Sequence, residues 1–152
     1  MKKSPQQEKL EALLKSSKFS MCGFMGDDKR NLWEVIDTDA TAIEKLGKKQ
    51  EEIAARMQHL TDLAASGLGD WVQVGKNLQV SADDNRGMIP CPWPHHKRCL
   101  KRITTARHSA TGRTIRWSDL NIHLIKEHGF FEGRGSPFRI EPQELVKIIF
   151  CE

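Results

Sequence analysis

The chain has few of the features that would assign it to a specialised class. No apolar run approaches the ~18 residues that cross a bilayer as a helix, so no spanning segment is expected. The opening MKKSPQQEKLEALLKSSKF has the basic start of an export signal but not its uninterrupted apolar core. Cysteine is scarce, with 4 in 152 residues. Without an export signal the expected location is cytoplasmic, and there Cys22, Cys91, Cys99 and Cys151 read as thiols or metal ligands rather than disulfides. Internal repeats and low-complexity tracts are missing as well. Acidic residues are absent from one long stretch: between His95 and Ser118 stand seven basic residues and no acidic one.

What is present describes a polar globular protein. The hydrophobic fraction is 38% and the mean hydropathy −0.54. The length suffices for one domain with a real core or for two small ones. Net charge is +4 but unevenly spread. Residues 1–84 carry 12 Lys/Arg against 14 Asp/Glu, whereas residues 85–152 carry 12 against 6. That asymmetry divides the chain into a slightly acidic half and a basic half suited to an anionic partner.

Periodicity orders the first half. Residues 5–16 form a short amphipathic helix with Leu10, Leu13 and Leu14 on one side. Cys22, Phe24 and Met25 tuck into the core from a Gly-containing loop. A helical stretch from about Asn31 ends at Gly47, and Thr41 and Glu44 have capping-box spacing that splits it in two. KKQEEIAARMQHLTDLAAS is the clearest helix, with Ile53, Met57, Leu60 and Ala64 as its buried stripe. LGKKQEEIAARM is similar over a dozen residues to part of a helix-turn-helix, but the helix runs on where that pattern turns, so Met57 and Leu60 are read as core. The period then changes to two, and DWVQVGKNLQV reads as a hairpin around GKN. SADDNRG reads as a polar break between the halves, 1–84 and 85–152, which can also form one compact unit.

In the second half, LKRITTA and TIRW read as paired strands around HSATGR. Ser118 is a natural N-cap for a helix from Asp119 to His128, closed by Gly129. FFEGRGSPFRIE reads as loop and strand, and PQELVKIIF begins a last helix with Pro at its first position. The expected fold class is α+β: N-terminal helices, then a small antiparallel sheet with a hairpin-helix element.

The chemistry concentrates in two stretches, IPCPWPHHKRCLKRI and NIHLIKEHG. Zinc takes four tetrahedral ligands, commonly thiolates and imidazoles drawn in pairs from a tight turn and a helix. Cys91 and Cys99 bracket a turn stiffened by three prolines, and His123 and His128 lie on the helix. The order knuckle, hairpin, helix resembles a ββα zinc finger of the two-Cys, two-His type over residues 91–128. That resemblance implies a structural zinc. The histidine spacing fits a finger, whereas seven residues separate the cysteines where a finger has two to four. His96 offers a repair as partner of Cys91, which leaves Cys99 as a packing residue on the strand. The ligand candidates are therefore Cys91, His96, Cys99, His123 and His128.

An alternative is a metal-dependent hydrolase using His123, Glu127 and His128, because HLIKEH looks like the zinc-peptidase motif with one residue inserted. The insertion separates the two histidines by about 140° around a helix instead of about 40°. A reading without enzymatic activity is preferred. The basic run suggests nucleic acid or an anionic protein surface as partner, through Lys97, Arg98, Lys101, Arg102, Arg113, Arg116 and Arg134, with Trp117 as a stacking surface. GRGSPFR adds Arg139 and backbone amides for a phosphate. Within the strands, Lys101, Ile103 and Thr105 face one way and Arg102, Thr104 and Ala106 the other. A metal-free protein–protein adaptor is the third reading.

Overall fold

A computed structural model describes residues 4–15, 23–93, 95 and 97–151, with the side chains of residues 13–15 left aside. Three helices come first: α1 (Pro5–Lys15), α2 (Leu32–Lys45) and α3 (Gln50–Ser66). Four strands follow, β1 (Val72–Val74), β2 (Leu78–Pro90), β3 (Arg98–His108) and β4 (Thr114–Ser118), then α4 (Asp119–His128) and α5 (Pro142–Ile149). The strands form one antiparallel sheet in the order β1-β2-β3-β4. The class is α+β.

α2 is a single helix, with Asn31 as its cap accepting from the Glu34 amide. Thr41 starts no second helix, because its hydroxyl donates to the Asp37 carbonyl one turn back. α3 buries Ile53, Ala54, Met57, Leu60, Thr61 and Ala64 against the sheet. Gly75, Lys76 and Asn77 turn the β1–β2 hairpin, with Val74 paired to Leu78. Phe24 and Met25 are buried as expected, while Cys22 lies outside the described residues.

SADDNRG is a correction. It is no break: β2 runs through it, pairing Asp83 with Ile103 and Asp84 with Arg102. The ladder is irregular only between Asn85 and Met88, where Gly87 takes a positive φ of 98°. Pairing to β3 satisfies the backbone, so polar side chains at an exposed sheet end cost little. The two halves thus share one sheet. FFEGRGSPFRIE is also corrected, since residues 129–141 contain no strand among the described residues.

One face of the sheet packs under α3, α4 and α5. Leu78, Val80, Ala82, Thr104, Ala106 and Trp117 line it and are buried. Trp117 is fully buried, its indole N–H donating to Thr61 Oγ1 at 2.9 Å, and Thr61 meets Thr104 Oγ1 at 2.9 Å. The stacking surface expected at Trp117 is therefore a core element. On the other face Gln73, Gln79, Ser81, Asp83, Lys101, Ile103, Thr105, Arg107 and Arg116 are half-buried or exposed.

α4 has the expected ends. Ser118 accepts from the Asn121 amide, and Asn121 answers the Ser118 amide in a capping box. Gly129 closes the helix in the left-handed conformation, φ 63°. The helix lies between two cores. Ile122 and Ile125 join the larger one with α3 and α5, and Leu120 and Leu124 join a smaller one with α2. The adjacent Phe130 and Phe131 divide the same way.

Candidate metal centre

The turn from β2 to β3 crosses the end of α4. The Cys91 amide donates to the Lys97 carbonyl at 2.9 Å, which continues the ladder one step past Pro90 and Arg98. Cys91 is buried in the smaller core. Trp93 packs against the same core and stacks on the His128 imidazole, centroids 4.0 Å apart and planes within 8°. His95 Nε2 lies 3.2 Å from His128 Nε2 and 3.3 Å from His123 Nε2. Cys91 Sγ lies 3.6 Å from His128 Nε2. Every second residue of this turn therefore touches His128.

Cys91, His95, His123 and His128 each present one donor atom, all within 4.8 Å of one another. Donors around a tetrahedral zinc, ~2.05 Å for nitrogen and ~2.3 Å for sulfur, sit about 3.3 Å apart N to N and about 3.6 Å S to N. Three of the six donor pairs have that spacing, and all six lie within 4.8 Å. The cluster can hold a metal ion.

The 140° problem is solved by the loop. His123 and His128 do not converge along one helix stripe. Their rings meet edge to face, centroids 5.4 Å apart, and the His95 ring from the β2–β3 turn completes a near-equilateral triangle with them. His128 is the last helical residue, and Gly129 beside it closes the turn.

The electrostatics favour ligand chemistry. Burial, then the neighbouring His123 and His95, hold His128 down to about 4. Burial chiefly lowers His123 too. Both imidazoles are thus neutral at ordinary pH, with lone pairs available for a metal. Burial pushes the Cys91 thiol up to about 11, so it ionises readily only when a cation arrives beside it.

Of the expected ligands, the cluster contains Cys91, His123 and His128. Cys99 is not among its donors: it is a buried residue of β3, paired with Ile89. His96 lies outside the described residues, and the turn's donor in the cluster is His95. The signal for His95 was the alternation Cys91, Trp93, His95. Prolines at 92 and 94 bias the residue before each toward extended backbone, where every second side chain shares a side.

The expected cationic contacts fall into several places. Lys97 and Arg98 line a cleft of about 610 Å³ that opens beside the cluster, together with Glu127. Lys101 and Arg116 lie exposed on the open sheet face. Arg102 is bonded to Asp84 at 2.7 Å, and Arg113 to Glu144 at 3.0 Å. Arg134 borders a separate cleft with Asp27, Asp28 and Glu34, and its amide already donates to Asp28. Arg139 is no phosphate ligand either: its guanidinium is buried on Asp39 and the Glu132 carbonyl.

No helix among the described residues is long and apolar enough to cross a membrane. No family model matches the chain, and neither the curated proteins nor the solved structures provide a match.

Proposed function

We propose that the protein is a zinc-stabilised binding module whose basic surface engages nucleic acid. The carrying observation is the four-donor set gathered within 4.8 Å, one sulfur and three nitrogens from the protein itself. One thiolate with three imidazoles suits zinc, which needs no redox partner and accepts both donor types. Four protein donors close the coordination shell. A structural role follows, because a hydrolytic zinc keeps a position for water. The hydrolase reading through His123, Glu127 and His128 requires Cys91 or His95 to leave the shell.

The partner is argued from charge. Lys101, Arg107 and Arg116 share the open sheet face with hydroxyl and amide side chains, and Arg107 also stacks on the half-exposed Trp71 at 4.0 Å. Such a surface suits a phosphate backbone. A cytoplasmic setting is part of this reading, supported by Cys91, Cys99 and Cys151 standing as thiols.

Metal analysis of protein purified without added metal tests the first part, with one zinc per chain expected. For the second part, affinity for single-stranded DNA should fall steeply with salt. Reversal of Lys101, Arg107 and Arg116 to Glu should weaken it more than reversal of the exposed Lys9, Lys45 and Lys147. Both triples change net charge equally, so a difference reports location. Equal loss, or no binding at low salt, leaves the adaptor reading in its place.

A further inference from the structure

The cleft beside the centre has a composition that the sheet-face reading does not use. One wall is a single stripe of α4: Asp119, Ile122, His123, Lys126 and Glu127, at positions i, i+3, i+4, i+7 and i+8. The other wall is the far end of the β2–β3 ribbon, with Met88, Lys97, Arg98, Cys99 and Leu100. His95 and His128 close the end between them. At about 610 Å³ the space falls within the range of small-molecule sites.

Two features of this cleft go together. Met88 and Leu100 are cross-strand partners, yet they are 50% and 48% exposed, the largest exposures among the described large apolar residues after Leu68. They form a half-exposed apolar ledge on the ribbon. Cations flank the ledge: Lys97 and Arg98 stand on its own ribbon and Lys126 across from it on α4. A zinc bound by one thiolate and three neutral imidazoles carries a net +1, unlike the neutral two-Cys, two-His set. Lys97, Arg98 and Lys126 stand against Asp119 and Glu127, so the cleft keeps a net charge of +2 when the metal is in place. An apolar ledge flanked by cations selects a flat apolar group joined to an anion.

We infer that this cleft is a nucleotide-binding site, with the base on the Met88–Leu100 ledge and the phosphate toward Lys97, Arg98 and Lys126 at the edge of the metal centre. The inference rests on the zinc reading, since the metal supplies part of the charge. It adds to that reading a pocket that takes one nucleotide unit, free or at the end of a strand. Here the zinc acts at a distance, as a fixed positive charge rather than as a ligand-binding atom.

The experiment uses the full chain, with zinc content measured first. Adenosine 5′-monophosphate, adenosine and inorganic phosphate are then titrated by calorimetry. The monophosphate should bind at least roughly tenfold more tightly than either fragment, because only it engages both the ledge and the cations. Lys97→Glu with Arg98→Glu should weaken it by roughly tenfold or more, and Met88→Ser with Leu100→Ser by several-fold, at unchanged zinc content. Should the first pair lose zinc through its closeness to His95, Lys126→Glu on the opposite wall decides instead. A zinc-loaded chain that binds the monophosphate no better than adenosine, or equally well after these changes, overturns the site and leaves the metal centre standing. A chain without zinc fails the metal reading itself, and the cleft's charge with it. Oligothymidylates with and without a 5′-phosphate, compared with the free monophosphate, identify the source. Preference for the phosphorylated strand assigns a strand end, and preference for the monophosphate assigns a free nucleotide.

Discussion

The two cores are closed by different means. Among the described residues, the larger gathers eighteen buried residues from α2, α3, α4, α5, the loop after α4 and the sheet, while the smaller has nine, two of them cysteines. The larger is sealed by aliphatic side chains, Phe131 and Trp117, with the Trp117–Thr61–Thr104 chain as an interior polar link. The smaller loses its apolar supply at the β2–β3 turn. There Cys91 and Trp93 hand over from packing to a cluster of imidazoles. Where a core is too small to close itself, a metal can supply what packing cannot, and this cluster could hold one.

The largest expected effect tests the first half of this contrast. Met57 is fully buried in the larger core, so Met57→Asp places a charge there and removes a filled volume. A loss of more than ~5 kcal/mol is expected, enough to abolish cooperative unfolding in a denaturant titration. Near-normal melting would make α3 a surface helix and revive the helix-turn-helix likeness.

Zinc removal tests the other half, and its effect should be local. Chelation, or Cys91→Ser, should cost ~4 kcal/mol where free zinc stands about a thousandfold above its dissociation constant. Hydrogen exchange should quicken at residues 89–99 and at the end of α4, while amides of α3 and α5 remain protected. Uniform acceleration across both cores would erase the distinction between them.

The smallest effect lies in the loop that joins the cores, at Glu132. Burial raises its carboxyl from 4.5 to about 7, against the donors Ser136 and Asn121. The folded pKa is the higher one, so the contribution is fully present below about pH 4.5 and is lost as pH rises to about 7. The full swing is ~3 kcal/mol. Glu132→Gln keeps the shape without the charge. It should flatten stability between those pH values and raise it near neutrality. An unchanged pH profile would mean that the carboxylate is stabilised within the loop.

Much of this molecule was legible locally. The cap at Ser118, the stop at Gly129, the stripe of α3, the GKN hairpin and the proline start of α5 each depend on residues within a turn or two. The donors Cys91, His123 and His128 were legible for a similar reason, as side chains of the right chemistry set close on a turn and on a helix. Other features depended on distant partners. SADDNRG became strand because β3 offers its backbone a ladder, and only the packed sheet takes Trp117 to Thr61. Arg139 was removed from any surface by Asp39, a hundred residues away. The choice of His95 was decided in the same way. Composition and spacing determined that this chain holds thiol and imidazole donors beside a helix. The crossing of the β2–β3 turn over the end of α4 decided which ones meet, because four donors must share one volume a few ångströms across and only the fold brings chain positions so far apart into it.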